Sequence, residues 1–542
     1  MPTKRCVSGC KGFHTDICNQ APKCAYINGN TRKYCRLSSK FKMGKPPKCN
    51  VTKRIKKSQI KEEASKKISV FLKQKTTKKN KPEIKLIAKA KKPFEVIGKF
   101  MLKTGLKRKL HYLKTICSDS GVCIAFGPNS KKIIDFFDGF TNFNYVKSPI
   151  IQIGNPSKNG FVKQIQYEKE GYNAYAVLKS SASKIADNLV YEYIVGQFIN
   201  KQNKFFPCFI ETYGLYYYKN EMDWSHSKNT KVITTNILKD LLELQTNIYD
   251  YKKMCQQSKF AAILIQHLKN AKTLDDMLNT RDAKFIIYDL LYVLYQIYMP
   301  LSILSSVFTH YDLHTGNVLL YEPIQSKYIE YHYHLQNNEL INFKSPYIVK
   351  IIDYGRSFYK PDNGMISPTD IYNNVCSEKS CDLISIKQTY KCGSQYGFHW
   401  FEPATKDVSH KYYMNSIKDN QSYDLRLLDI LKSEIKKNTW KYYAIPSKYN
   451  IITEPLIKLL SIVKYGINLT GEAKHYGTIS NLKSGLPSKI NNVKDVEEGL
   501  RNIILKNPEI NLVNNANYNN PANKIGDIHV YADGSPMRFV SV

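Results

Sequence analysis

"FTHYDLHTGNVLLYEP", Phe308–Pro323, sets His310 two residues before Asp312 and Asp312 five residues before Asn317, at the end of a long apolar run and directly before "NVLL". Polar groups held against a core are costly unless each has a partner. Their concentration between two apolar stretches therefore marks a site rather than a surface loop.

Working outward, the order of signals supplies the rest of that site. "IQIGNPSKNGFVKQIQYE" reads as strand, glycine turn, strand, with Gly154 and Gly160 bracketing the turn, Ser157 in its middle and Val162 facing an apolar layer. "YNAYAVLKSS" follows as a strand that carries Lys179 near its end. In "SKIADNLVYEYIVGQFIN" the helical period places Leu189, Tyr193 and Val195 to Phe198 on apolar positions, with Glu192 among them and pointing inward. A glycine turn lets backbone approach phosphates, an ammonium neutralises them, and a carboxylate fixes the long Lys side chain. Singly these signals are weak, since most Lys–Glu pairs are surface pairs contributing under about 1 kcal/mol.

"FAAILIQHLKNAKTLDDML" reads as a buried strand, a polar link at Gln266 and His267, and the start of a helix. Beyond the opening stretch, "PYIVKIIDYGRSF" is an apolar strand that ends at Asp353 and turns at Gly355. Asp312 is placed to accept or orient a hydroxyl proton. Asn317 and Asp353 offer the hard oxygens that Mg²⁺ requires, and His310 holds the turn between them.

The chain of 542 residues, 42% hydrophobic and 12% aromatic, is long enough for two or more domains. Its net charge of +36 is largely local. Between Lys40 and Lys114 there are about 26 Lys and Arg against about 4 Asp and Glu, which leaves roughly +8 after residue 115. The opening "MPTKRCVSGC" lacks an apolar secretory segment, and thirteen Cys cannot all pair within one chain, so the reading is intracellular with mostly reduced thiols. Phe285–Phe308 is apolar enough to resemble a membrane span, but Asp289, Gln296 and Pro300 interrupt it. The expectation is a helix buried inside a large domain.

Three regions follow, without internal repeats. Residues 1–43 are loop-rich and hold Cys6, Cys10, Cys18, Cys24 and Cys35, with Cys49 just beyond. Zinc held by four ligands out of Cys6, Cys10, Cys18, Cys24, Cys35 and His14 is one reading; the spacings lack a paired C-x2-C, and a disulfide or thiol-only module is the other. Residues 44–116 are a Lys-rich linker too charged to collapse alone. A solvated connector is the default there, with nonspecific binding to nucleic acid or anionic lipid as alternatives. Residues 117–542 alternate strand, helix and turn signals. Within them, His332 and His334 lie two apart on one face of a strand and read as an exposed edge in preference to a metal site. The stretch after Arg356, with Cys376, Cys381 and Cys392, reads as an insertion with incidental thiols, or as a regulatory disulfide or metal clip.

The order glycine turn, Lys179, Glu192, "HYDLHTGN" (His310–Asn317) and "DYG" (Asp353–Gly355) resembles the protein kinase-like fold. With "NLVYEYIVGQFINKQNKFFPCFIETYGLYYY", "IIDYGRS", "SYDLRLL" and "IGDIHVYADGSPMRF", nearly everything after residue 117 is similar to the serine/threonine kinases of iridoviruses and other nucleocytoplasmic large DNA viruses. That resemblance implies a two-lobed α+β fold, a β-rich N-lobe at about 117–265 and a helical C-lobe at about 270–542, with ATP and Mg²⁺ or Mn²⁺ in the cleft. It implies ATP contacts from Gly154, Ser157, Gly160, Val162, Lys179, Glu192, Gln266, His267 and Leu268. Asp312 would be catalytic, Asn317 and Asp353 metal ligands, and His310, Gly355 and Asp424 structural supports. The acceptors would be Ser and Thr of viral or host proteins, in the host cytoplasm, its viral factory or the virion. "CNQAPKCAYINGNTRKYCR" is similar to the two-cysteine adaptor modules of such viruses, implying adaptor contacts through residues 1–43.

The chain also departs from the ordinary pattern. His314 stands two residues after Asp312, where Ser/Thr kinases carry a Lys, and "DLHxGN" is closer to small-molecule kinases such as aminoglycoside or choline kinases. Tyr311 replaces the Arg that pairs with a phosphorylated loop, so activity is expected to be independent of loop phosphorylation by that route. Gly154 is one position farther from Gly160 than the usual glycine loop allows. A small-molecule kinase and a pseudokinase scaffold are the rival readings.

Overall fold

The computed structural model describes residues 24–28, 33–37, 115–117, 123–157, 160–181, 189–244, 260–280, 282–362, 365–368, 399–402, 412–436, 450–463, 465, 490–506 and 516–541. The chain divides into two units, Met1–Ala88 and Lys89–Val542. In the first, β1 (Cys24–Asn28) pairs antiparallel with β2 (Lys33–Leu37). Cys6, Cys10, His14, Cys18 and Cys49, the linker 44–114, and Cys376, Cys381 and Cys392 lie outside the described residues.

The second unit is mixed α and β, with largely antiparallel sheets. It opens with β3 (Thr115–Cys117), β4 (Cys123–Ala125) and α1 (Ser130–Phe136), then β5 (Val146–Ser157), β6 (Gly160–Lys169) and β7 (Tyr172–Ser180). There follow α2 (Leu189–Gln202), β8 (Thr212–Tyr218), α3 (Glu221–Asn229), β9 (Val232–Ile233), α4 (Thr235–Leu241), β10 (Leu242–Leu244) and β11 (Ala261–His267). Strands β5–β11 form one seven-stranded sheet in the order β10-β8-β11-β7-β6-β5-β9, and β3 pairs with β4 separately.

Period-2 alternation gives this sheet two different faces. Phe161, Ile165 and Tyr167 of β6 and Ala174, Ala176 and Leu178 of β7 join Phe137, Phe140 and Trp224 in an aromatic layer on one side. Helix α2 covers part of the other through Leu189, Val190, Ile194 and Phe198. Gly196 permits its close approach to β8, since a Cβ there would lie 2.3 Å from the Thr212 hydroxyl. This phase corrects one expectation. Val162 does not face the apolar layer; it pairs in register with Lys179 and shares that residue's face, because the odd positions Phe161 and Lys163 take the inward phase.

Downstream come β12 (Lys272–Thr273), α5 (Leu274–Asn279), a π-helical turn at Phe285–Asp289, and α6 (Leu290–Ile303). Phe285–Ile303 is long and apolar enough to cross a membrane, but 83% of its 18-residue apolar window is buried within the unit. Next are β13 (Phe308–Thr309), β14 (Val318–Tyr321), β15 (Tyr328–His334), β16 (Leu340–Ser345), β17 (Ile348–Ile351) and β18 (Phe358–Tyr359). After β19 (His399–Glu402) and β20 (Tyr412–Asn415) come α7 (Arg426–Lys436), α8 (Asn450–Ile462), α9 (Val493–Lys506), β21 (Lys524–Tyr531) and β22 (Arg538–Ser541).

Strands β12, β14 and β17 make a three-stranded sheet that flanks the opening stretch of sequence, and β13 pairs with β18. The C-terminal strands complete a four-stranded sheet in the order β16-β15-β21-β22, in which β15 and β21 run parallel. This is a second correction. His332 and His334 are not on an exposed edge, because β21 arrives from near the C-terminus and makes β15 an interior strand. The core face of that sheet carries Ile329, Tyr331, Tyr333, Phe343, Ile528 and Val530.

Ile528 is 0% exposed and pairs with Tyr331. Ile528→Ala should cost about 2–5 kcal/mol, the range for large-to-small changes in a close-packed core. The reading is a lower urea midpoint at unchanged slope, and an unmoved midpoint would contradict the parallel β15–β21 pairing.

Candidate active site

Lys179 is built into β7 opposite Val162 on one side and Ile263 on the other, so its side chain leaves the face that α2 partly covers. Its Nζ donates to Glu192 Oε2 on α2 at 2.7 Å and to Asp353 Oδ1 after β17 at 2.8 Å. Glu192 is 3% exposed, as its inward helical phase requires. Burial alone would depress the Lys179 pKa, but the two carboxylates raise it above its ordinary value. Burial alone would raise Asp353, and the Lys179 charge instead holds it at about 2. Asp353 adopts φ +68, a left-handed conformation rare outside glycine.

Asp424, on a short turn before α7 and buried, accepts the backbone N–H of His310 at 2.8 Å and of Tyr311 at 3.0 Å. Burial pushes its carboxyl up to about 7, against the two amides that pull it down. The clamp holds Tyr311 at φ +62. His310 Nδ1 accepts the Asp312 N–H, so its Nε2 carries the hydrogen and donates to the Ile352 carbonyl at 2.9 Å. Burial depresses the His310 pKa, in keeping with this neutral tautomer. Asn317 Nδ2 donates to the Asp312 carbonyl at 2.9 Å, leaving Oδ1 outside that bond, and the Asn317 carbonyl accepts the Ile352 N–H at 3.1 Å. Asp312, Asn317 and Asp353 are thereby joined through His310 and Ile352. Gly355 follows Tyr354, whose hydroxyl donates to the Ile351 carbonyl at 2.7 Å and accepts the Ile210 N–H at 2.9 Å.

Two residues at this site escaped the sequence reading. Arg426 Nη1 lies 2.6 Å from Asp312 Oδ1, and Arg356 Nη1 lies 3.3 Å from Oδ2. The only local signals were that Arg356 directly follows Gly355 and that Arg426 lies two residues after Asp424. His314 is used differently. Its Nδ1 accepts the Gly316 N–H at 3.0 Å, capping the turn Thr315–Asn317, and burial depresses its pKa, so it brings no cation at pH 7. Positive charge reaches Asp312 from the guanidinium groups instead.

The glycine turn lies at the Lys179 end of the sheet: β5 and β6 pair Ile153 with Val162 and Ser157 with Gly160. Gly154 has φ +65 and Gly160 φ +147, and a Cβ on Gly154 would meet nothing within 4 Å. The Ser157 side chain and residues 158–159 lie outside the described residues. Gln266 and His267 pair with Ala176 and Tyr175, so His267 is four residues along β11 from the partner of Lys179, about 13 Å at strand rise. There they line a small cavity with Glu211, Tyr213 and Ser130. His267 is pushed down to about 4 by burial and then by the charge of Lys269, while the Leu268 side chain is in the core.

The assembled group contains an ammonium, a carboxylate flanked by guanidinium groups, and the hard oxygen donors Asn317 Oδ1 and Asp353, a set that suits a small divalent cation. The chain matches no protein-family model and no curated protein.

Lys179→Met would leave Glu192 and Asp353 together without their cation. Asp353, with its pKa held near 2, contributes stability that is present above about pH 4 and lost as pH falls toward 2. Because Asp353 is part-exposed and screened, the variant should be about 1–3 kcal/mol less stable at pH 7. That gap should shrink as pH falls through 4 toward 2, because Asp353 then protonates in the unfolded chain and its pairing with Lys179 contributes less. Urea unfolding at pH 7 and pH 3 measures it, and an equal gap at both would contradict the ion triad.

Proposed function

We propose that the chain is a Mg·ATP-dependent phosphotransferase of two-lobed protein kinase-like fold, acting on Ser and Thr hydroxyls of proteins. The observation that carries this reading is the bonding of Lys179 to Glu192 and Asp353 at once, with Asp353 linked through Ile352 to His310, Asp312 and Asn317. An ammonium for phosphates, a carboxylate for a hydroxyl and two oxygen donors for a metal ion thus belong to one connected group.

In this reading the sheet β5–β11 and the helical part meet at the nucleotide. Lys179, steadied by Glu192, holds phosphate oxygens beneath the open glycine turn, and the base extends along β11 toward Gln266 and His267. Asp312, oriented by Arg426 and Arg356, accepts a hydrogen bond from the substrate hydroxyl and takes its proton. The hydroxyl oxygen bonds to the γ-phosphorus as the bridging P–O bond breaks, its electron pair leaving with ADP. Asn317 and Asp353 would hold Mg²⁺, which would supply neutralisation of the phosphate charge. Arg356 and Arg426 bring to the transferring group the positive charge that neutral His314 lacks. By the resemblance to kinases of large DNA viruses, the acceptors are viral or host proteins in the host cytoplasm or virion. A small-molecule acceptor is the second reading, favoured by neutral His314 within "DLHTGN".

Incorporation of labelled γ-phosphate by the full chain with Mg²⁺ and generic acceptor proteins tests this, beside Asp312→Asn and Asp353→Asn. Each substitution should cost about 10²-fold or more in rate. Transfer confined to small hydroxylated molecules would establish the second reading. ATP binding without transfer to either acceptor would overturn the enzyme and leave a scaffold.

A further inference from the structure

The outer face of the four-stranded sheet gathers groups that phosphoryl transfer does not use. Tyr331, Tyr333, Ile528 and Val530 point to the core, so Glu330, His332 and His334 of β15 share the opposite face with Asp527 and His529 of β21. In register, Glu330 stands beside Asp527 and His332 beside His529, and Asn342 of β16 stands on the other side of His332.

The hydrogen bonds of His332 define what it can offer. Nδ1 is 2.8 Å from Asn342 Oδ1, an acceptor, which places the ring hydrogen on Nδ1. The Nε2 lone pair of the neutral ring then faces Asp527 Oδ1 at 2.8 Å. Two acceptors at that separation require a cation, either a proton on Nε2 or a metal ion bound by both. Lys524 already brings a positive charge there, with Nζ 2.7 Å from Asp527 Oδ1 and 2.7 Å from Glu330 Oε2.

We infer that this face binds a divalent first-row transition ion of the Zn²⁺ class through His332 Nε2, Asp527 and Glu330, with solvent completing the shell and Lys524 the ammonium it displaces. The three ligand atoms lie within 4.8 Å of one another and each residue is half-buried, so an ion can enter without unfolding the sheet. One imidazole and two carboxylates suit Zn²⁺, Co²⁺ or Mn²⁺ in preference to Mg²⁺. Asn342 plays the outer part: a ligating histidine commonly donates its second ring N–H to an oxygen, which fixes tautomer and ring direction. His529 supports the same ring, stacked on His332 with centroids 4.5 Å apart. His332 and Asp527 are separated by 195 residues, so a bound ion would staple the C-terminal strand to the β15–β16 hairpin. None of these residues belongs to the Lys179–Asp353 group, and the inference stands apart from the proposed activity.

Titration of the full chain with Co²⁺, read by absorption, tests it. One equivalent should bind with d–d bands and without a thiolate charge-transfer band, which separates this site from any uptake by the cysteines of residues 1–43. That equivalent should vanish in His332→Gln and Asp527→Asn and persist in Asp353→Asn. Asn342→Ala should weaken it about 10–100-fold. Lys524→Met, which removes the competing ammonium and no ligand, should bind more tightly, and Zn²⁺ should raise the thermal midpoint of the wild type but not of His332→Gln. Equal cobalt uptake by the wild type and His332→Gln, or weaker uptake by Lys524→Met than by the wild type, would overturn the assignment.

Discussion

One ammonium, Lys179 Nζ, holds two carboxylates from different parts of the unit, Glu192 on α2 and Asp353 after β17. Removing one member of a part-buried ion group leaves charge uncompensated, at Glu192 above all, which is 3% exposed. The contact therefore joins the seven-stranded sheet, its covering helix and the three-stranded sheet at one point. Backbone bonds brace the same junction: the Ile351 N–H donates to the Cys208 carbonyl at 2.7 Å, and Phe209 bridges to Ile351. With that side fixed, Asp353 can be kept at φ +68, a conformation that costs a non-glycine residue about 1–3 kcal/mol.

A second carboxylate, Asp424, does the corresponding work beneath the opening stretch. Backbone amides that point into a core must be paired, and Asp424 pairs two in succession from more than a hundred residues away. Tyr311 is strained as Asp353 is, and the two lie on either side of the His310–Ile352 hydrogen bond. Strain is thus gathered around the groups that could carry chemistry, and stabilising contacts from β7, α2 and the turn before α7 surround it.

Much of this was legible because local patterns carry it. The glycine turn, the period-2 strands around it, the inward Glu192 and the apolar strand that leads to Asp353 each follow from short-range chemistry. What failed depends on phase or on distant partners. Strand alternation shows that β6 has two faces but not which one is inside, and a one-residue slip exchanges them. Lys163, a residue that argues against burial, takes the inward phase because Thr230 offers its carbonyl at 2.6 Å. His332 and His334 looked like an edge because β21, the strand that encloses them, lies almost two hundred residues away. Arg356 and Arg426 converge on Asp312 only after the turn before α7 has docked, and no spacing within either segment announces it.

The helix that could pass for a membrane span shows how the same core serves both stability and position. Residues Leu290–Leu301 are buried on all sides, yet three of them are tyrosines whose hydroxyls need partners in a dry interior. Tyr298 donates to the Asp424 carbonyl at 2.8 Å and Tyr295 to Glu497 at 3.1 Å, while Gln296 accepts the Val349 N–H at the start of β17. A lipid-facing helix would leave such groups unsatisfied; here Tyr298, Tyr295 and Gln296 are each satisfied by a different neighbour. Apolar burial alone would let α6 turn or slide with little change in area. These directional bonds remove that freedom, and two of them end on the turn carrying Asp424 and on the strand leading to Asp353. The geometry at the opening stretch is therefore set from below by α6 and from the side by Lys179.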